Sequence, residues 1–281
     1  MTTCIFGIGG GSDFDSAWLL ANSDNDIIFV ALAPLIFNGH LYLTETLRKY
    51  TGSEFLHPAT RTLRSNPTYK CYTRNQYFSQ PWPILDDSRR ANSYGIIVPP
   101  PEHSQEFALC AAALKNMIEE GARITAVDTG GDCLRGLVPG MGDRDLSDLY
   151  GGSQDTRDAD AIKLIYRTIL NPFSIVVLGP GSDGETSRAG LTVGLEALQL
   201  NESGMKLKRL GNVSEYSDQF LFIPSWKTPK DGSTISNICR GMAAVSPDER
   251  VPIVRCGRIL EMIPAGFVRS YWVVEYTQGT P

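Results

Sequence analysis

Histidine is scarce in this chain. His40, His57 and His103 are the only three in 281 residues, and no two stand at metal-ligating spacing. A histidine-built metal site is therefore excluded, and a histidine general base is confined to isolated positions such as His40 or His57. Cysteine is present but unorganised. Cys4, Cys71, Cys110, Cys133, Cys239 and Cys256 are widely spaced and contain no Cys-x-x-Cys pair. That pattern excludes a zinc ribbon and a secreted disulfide scaffold, and suits free thiols in a reducing compartment. There is no excess of basic charge: the net charge is −5. The densest basic group, Lys206-Leu207-Lys208-Arg209, is short and reads as a solvated turn or helix end. A nucleic-acid partner is not expected. No apolar run approaches the ~18 residues of a membrane span. The opening Met-Thr-Thr-Cys-Ile-Phe-Gly has neither a basic segment nor a long apolar core, so no signal peptide is read there and a cytoplasmic location is expected. No solenoid-length repeat, low-complexity tract or obvious linker occurs.

What remains is a chain that is 42% hydrophobic and long enough to bury a core without staples. Short apolar β-prone runs alternate with amphipathic segments. Strands are expected at Cys4–Ile8, 26–33, 94–98, 123–128 and 174–178, with a further strand at 219–223 and strand-like pieces at 251–254 and 269–276. Helices are expected at 15–22, 104–120, 158–170 and 186–200. The early runs lack polar alternation, as strands buried on both faces do. The reading is one α/β domain over 1–281: a three-layer, Rossmann-like arrangement with a largely parallel sheet and a mixed C-terminal edge. Residues 37–92 break the pattern and read as an irregular insertion with short helices, a lid over the sheet.

Three strand ends share one grammar. The first carries Gly7-Ile8-Gly9-Gly10-Gly11-Ser12-Asp13-Phe14-Asp15-Ser16, the second Asp128-Thr129-Gly130-Gly131-Asp132-Cys133, and the third Gly179-Pro180-Gly181-Ser182-Asp183-Gly184-Glu185. Ligands of open α/β sheets bind outside the carboxyl ends of the strands. Glycine there lets backbone N–H groups approach an anion, and the next helix N-terminus adds positive potential. Acids beside such a nest bind Mg²⁺, a ribose hydroxyl or an amine. The ligand-binding candidates are Gly9, Gly10, Gly11, Ser12, Asp13, Thr129, Gly130, Gly131, Gly181, Ser182, Gly184 and Glu185. Asp128, Asp132 and Asp183 are the catalytic candidates, with Mg²⁺ at Asp128 and Asp132. Arg144, in an acidic segment running to Asp160, is a candidate anion clamp together with Arg135.

The first loop fits neither familiar template. It lacks a Gly-Lys-Ser/Thr ending, and Ser12 stands where a dinucleotide fingerprint has its third glycine. Gly10-Gly11-Ser12-Asp13 matches the centre of an ATP-pyrophosphatase loop, but Gly9 and Phe14 replace its flanking serines. Ser16, Ser182 and Ser187 lie outside any Gly-x-Ser-x-Gly, which argues against a serine hydrolase. Cys133 reads as a buried structural thiol.

On Gly9-Gly10-Gly11-Ser12-Asp13, Val127-Asp128-Thr129-Gly130-Gly131-Asp132, Arg144-Asp145 and Leu178-Gly179-Pro180-Gly181-Ser182-Asp183-Gly184-Glu185, the chain resembles the domain-of-unknown-function family eleven-fifty-two. The resemblance implies a shared loop site and no particular reaction. The functional expectation is an enzyme acting on a phosphorylated or nucleotide-like small molecule, by group transfer or hydrolysis, with Mg²⁺ and a nucleotide as possible cofactors. An adenylating enzyme of the pyrophosphatase type and a non-catalytic metabolite sensor stay open beside it. A small-molecule ligand is the expected partner, no membrane is expected, and oligomerisation stays open.

Overall fold

The computed structural model describes residues 3–8, 11–21, 27–32, 35–37, 40–44, 70–72, 93–97, 120–141, 157–169, 171–201, 204–220 and 223–277, with isolated positions between 108 and 118. The fold is α/β, centred on a seven-stranded sheet. Its strands are β1 (Thr3–Ile8), β2 (Ile27–Leu32), β6 (Ser93–Ile97), β7 (Arg123–Thr129), β8 (Phe173–Leu178), β9 (Met205–Asn212) and β12 (Ser270–Tyr276), in the order β6-β2-β1-β7-β8-β12-β9. From β6 to β8 every neighbouring pair is parallel. β12 runs antiparallel to both β8 and β9.

The apolar runs explain the parallel part. Ile5, Phe6, Ile8, Ala126, Val127, Ile175, Val177 and Leu178 are all essentially inaccessible, as strands covered on both faces must be. Among the described residues four longer helices accompany the sheet: α1 (Gly11–Leu20), α2 (Arg157–Ile169), α3 (Arg188–Gln199) and α4 (Thr234–Ala243). Ser187 caps α3 by accepting from the Gly190 N–H, and Ser233 caps α4 in the same way from Ser236. α1 packs on β1 and β7, which fixes its first turn above the carboxyl ends of both strands.

The C-terminal third departs from the sequence expectations in three places. Of the strand expected at 219–223, Gln219 and Phe220 are helical and Ile223 is irregular, while 221–222 lie outside the described residues. Ser217–Phe220 and Pro224–Lys227 are single helical turns instead, with Phe220 stacked on Trp226 at 4.9 Å. The Asn212–Glu215 capping box starts a helical course just upstream, and Pro224 opens the second turn. The missing strand is β9, which contains the lysine-rich segment expected to be a solvated turn. Met205 is buried while Lys206 and Lys208 are exposed, and Lys208 pairs with Glu275 of β12 at 2.7 Å. Charged side chains suit an edge strand. Third, the two strand-like pieces of the tail belong to different sheets. β12 lies inside the sheet, with Trp272 and Val274 fully buried. β10 (Arg250–Arg255) instead forms a separate hairpin with β11 (Arg258–Pro264). Cys256 and Gly257 connect them, both left-handed at φ 50° and 73°, the combination of a type I′ turn.

In the 37–92 segment the described residues belong to strands, and the rest of the expected insertion lies outside the described residues. β4 (His40–Thr44) and β5 (Lys70–Tyr72) join β3 (Leu35–Phe37) in a small separate sheet. His57 and His103 lie outside the described residues, as does most of the helix expected over 104–120. Among the described residues no helix is long and apolar enough to cross a membrane.

Candidate functional site

The first loop is shorter than the sequence suggested. Gly7 and Ile8 belong to β1 and α1 already begins at Gly11, so Ser12 and Asp13 occupy its first turn. Gly9 and Gly10 lie outside the described residues. Asp13 is buried, and its Oδ1 accepts the Thr129 N–H at 2.7 Å. Thr129 Oγ1 hydrogen-bonds the Ser16 hydroxyl at 2.6 Å and lies 3.2 Å from the Ser12 carbonyl oxygen. Three groups on α1 therefore clasp the end of β7.

The second loop is clasped just as closely to the third. Gly130 N–H donates to the Leu178 carbonyl at 2.9 Å, and Gly181 N–H donates to the Gly130 carbonyl at 2.6 Å. Gly130 sits at φ 125°, and a Cβ there would overlap the Asp183 carboxyl group. Glycine is required at this point both for the backbone conformation and for the approach of the acid. Asp128 is fully buried at the end of β7; its Oδ2 accepts the Cys133 N–H at 3.3 Å, and its Oδ1 has no hydrogen-bond partner. Asp132 opens a short 3₁₀ turn (Asp132–Leu134) directly after Gly131.

In the third loop, Asp183 Oδ1 accepts the Glu185 N–H at 3.1 Å, while Asp183 Oδ2 is buried without a hydrogen-bond partner. The Ser182 hydroxyl is likewise buried and unsatisfied. Gly181 and Gly184 take left-handed conformations and are packed against Leu191 and Leu260. Glu185 is held by two guanidinium groups, Arg135 at 3.0 Å and Arg255 at 2.6 Å. Arg135 also lies 3.6 Å from Asp132. Arg135, expected as an anion clamp, is therefore buried and committed to the protein's own acids. Arg144 lies outside the described residues.

Sequence reasoning missed two contributors. Arg255 reaches the third loop from β10 and also donates to the Asp183 carbonyl at 2.7 Å. Asn237 on α4 donates to the Ser182 carbonyl at 2.8 Å and to the Val254 carbonyl at 3.0 Å, and accepts the Val254 N–H at 3.1 Å. It ties loop, helix and hairpin together. Neither residue carries a local pattern, because each acts on chain more than fifty positions distant or across a hairpin strand; only the solvent-shielded Asn at an otherwise apolar helix face hints at a partner.

The cluster is electrostatically tense. Burial, then the neighbouring charges of Asp158 and Asp183, pushes Asp128 up to about 7. Burial and Glu185 push Asp183 up to about 6, against a downward pull from Arg255 and Arg135. Asp13 and Asp132 are raised well above the ordinary carboxylate range, burial being the first cause in each. Asp132 also faces Glu185, Asp158, Asp128 and Asp183, which makes it the electrostatic centre of the group. Burial and adjacent carboxylates push the Cys133 thiol well up, so it is an inert core group. Asp15 is separate. It is buried toward Ser225 on another side of α1, and burial lifts it to about 8.

Among the described residues two trios can offer carboxylate oxygens within 4.8 Å of one another: Asp128, Asp132 and Asp158, and Asp132, Asp183 and Glu185. Asp158 comes from the first turn of α2. The set is all oxygen, the chemistry of Mg²⁺, Mn²⁺ or Ca²⁺ rather than of zinc or copper. Compared with known families, curated proteins and solved structures, the chain matches none.

Proposed function

We propose that this chain is an enzyme acting on a phosphorylated or nucleotide-like small molecule, by group transfer or hydrolysis, at the junction of the three Gly/Asp loops. One observation carries the reading. The loops after β1, β7 and β8 meet through the Thr129 N–H to Asp13 and Gly181 N–H to Gly130 contacts. They do so beside the point where the strand order turns back, because β2 and β6 lie on one side of β1 and β7 and β8 on the other. In open α/β sheets that switch point is where ligands bind. The parallel strands, taken in chain order, follow 3-2-1-4-5, which supports a Rossmann-like, three-layer reading. The three loop motifs are also the basis on which we propose kinship with the domain-of-unknown-function family eleven-fifty-two.

In this reading the N-terminal turn of α1, at Gly11 and Ser12, faces the anion. Asp128 and Asp132 are the residues that would hold Mg²⁺. The buried, unpartnered Asp128 Oδ1 fits such a group. When bound, the cation would neutralise charge on a phosphoryl group. Asp183 has one oxygen fixed by the Glu185 N–H and one unengaged, so Oδ2 is the atom placed to accept a proton from water or a substrate hydroxyl. Gly130 leaves room for the Asp183 carboxyl group, while Gly131, Gly181 and Gly184 allow the turns to pack on the apolar side chains beneath them. Arg135 and Arg255 hold Glu185 and with it the position of the third loop.

The test is a thermal-shift screen of the full chain with ATP, nucleotide sugars and phosphosugars, with and without Mg²⁺, paired with mass spectrometry for turnover. Stabilisation and turnover by at least one phosphorylated compound are expected. Asp183→Asn should retain the shift and lower turnover by at least about a hundredfold. Pyrophosphate release from ATP would identify the adenylating alternative, and stabilisation without product the sensor. No shift with any phosphorylated compound overturns the reading.

A further inference from the structure

Two peptide planes meet at every Cα, and fixing both of them fixes the direction in which the side chain leaves the backbone. At Asp183 both planes are held from outside the third loop. The Ser182 carbonyl, on the plane before it, accepts from Asn237 Nδ2 at 2.8 Å. The Asp183 carbonyl, on the plane after it, accepts from Arg255 at 2.7 Å. Gly181 and Gly184 flank the acid at φ 79° and 72°, and glycine is the residue that restrains its own backbone least. The aim of the Asp183 carboxyl therefore depends on side chains that α4 and β10 bring to the loop.

Asn237 is itself immobilised. It is buried, at 1% exposure. Its second Nδ2 hydrogen goes to the Val254 carbonyl at 3.0 Å. Its Oδ1 accepts the Val254 N–H at 3.1 Å and the Arg240 guanidinium at 2.5 Å. Both donors and both acceptor positions of the amide are thus used. A guanidinium and a backbone N–H can only donate, so the amide cannot turn over, and Nδ2 must face Ser182. The hairpin register shifts between Ile253 and Val254, and at such an irregularity a strand has backbone groups to give to a side chain. Asp231 binds the other end of the Arg240 guanidinium group.

We propose that Asn237 is a positioning residue for Asp183. It fixes the Ser182–Asp183 peptide plane, and through it the pose in which Asp183 Oδ1 accepts the Glu185 N–H and Oδ2 stays unengaged. Asn237 acts through the loop backbone, from a helix 55 positions away in the chain. The inference rests on reading Asp183 as the proton acceptor, but its first test needs no ligand.

Amide hydrogen exchange is followed by NMR in the full chain. The Glu185 N–H is the reporter, because its hydrogen bond is to Asp183 Oδ1. The Val177 amide of β8 is the reference for the stability of the sheet. Asn237→Ala should speed exchange at Glu185 by at least about tenfold beyond any change at Val177. Ser233→Ala removes the cap of the same helix without touching the loop, and should change both amides by the same factor. With the phosphorylated compound that the parent turns over, Asn237→Ala should lower kcat by at least about tenfold and leave KM within about threefold. Equal acceleration of Glu185 and Val177 in Asn237→Ala would make Asn237 merely structural and overturn the proposal. Selective acceleration of Glu185 in Ser233→Ala, or an unchanged kcat, would overturn it as well. Should Asn237→Ala fail to fold, Asn237→Asp decides. It keeps an oxygen toward Arg240 and the Val254 N–H but loses both donors, and unchanged exchange at Glu185 there overturns the proposal. Selective loss of Glu185 protection in a chain that binds no phosphorylated compound sinks the proposed function alone; turnover with Glu185 protection unmoved sinks the positioning role alone.

Discussion

Gly130 shows how much of this site depends on what a residue lacks. Its φ of 125° is closed to most side chains, and a Cβ would occupy the space of the Asp183 carboxyl. Gly130→Ala must therefore distort the turn and displace the acid together. We expect a loss of about 1–3 kcal/mol in urea unfolding, the scale of an overpacked interior, and loss of any ligand-dependent thermal shift. A Gly130→Ala protein with parent stability would show that the two loops are not in fixed contact. Asp13 makes the complementary point. It falls inside the first turn of α1 rather than in an open loop, and it spends one oxygen on the Thr129 N–H. A residue that reads in sequence as a ligand-binding candidate also fastens α1 to β7.

At the scale of elements, the β10–β11 hairpin has two jobs. It closes over the third loop, with Ile253 and Ile263 in the core, and it delivers Arg255 to Glu185 at 2.6 Å. Its turn places a non-glycine residue, Cys256, at φ 50°. Asn tolerates that conformation better, and Asn-Gly is the preferred pair for such a turn. Cys256→Asn should raise stability by about 0.5 kcal/mol, within the few-tenths-to-1 range of well-chosen turn substitutions, and leave binding at the site unchanged. Lower stability on chemical denaturation would contradict the turn assignment. α4 serves the same assembly from the other side, since Asn237 joins the Ser182 carbonyl to both backbone groups of Val254.

Across the whole molecule, buried acids set the pH response. Asp15, Asp128 and Asp183 are lifted to about 8, 7 and 6, against about 4 for an unfolded carboxylate. Between those limits the folded chain holds protons that the unfolded chain has released. Stability is then highest at the acidic end of the window and falls as pH rises from about 4 to about 8. Cation-free protein should therefore melt several degrees higher near pH 5 than near pH 8, on the order of 2–4 °C for each kcal/mol at this chain length. Asp15→Asn should flatten the upper part of that fall, because Asp15 stands apart from the cluster. Scanning calorimetry across this range checks both statements, and a melting temperature that rises with pH would refute them.

The sequence by itself determined the parallel strands, since unbroken apolar runs such as those of β1, β7 and β8 have nowhere to go but a sheet covered on both faces. It also determined the three loops, because glycine is required wherever the backbone turns left-handed at a strand end. It was enough to place Asp128, Thr129 and Asp183 at the rim. Tertiary structure alone decided that those rims touch. Loop 1 meets loop 2 across more than a hundred positions of chain, through Asp13, Ser12 and Ser16 on one side and Thr129 on the other, and no periodicity records such a pairing. It also decided the edge. β9 looked like a charged turn until its alternation was matched against β12, while Gln219 and Phe220 of an expected strand went to a helical turn. Arg255 and Asn237 enter the picture only through contact, because a charge or amide in an otherwise ordinary element has no local signature. The glycines were legible because their constraint is in the backbone; the acids' division between fastener, proton acceptor and cation ligand was not, because it depends on which oxygen has a neighbour.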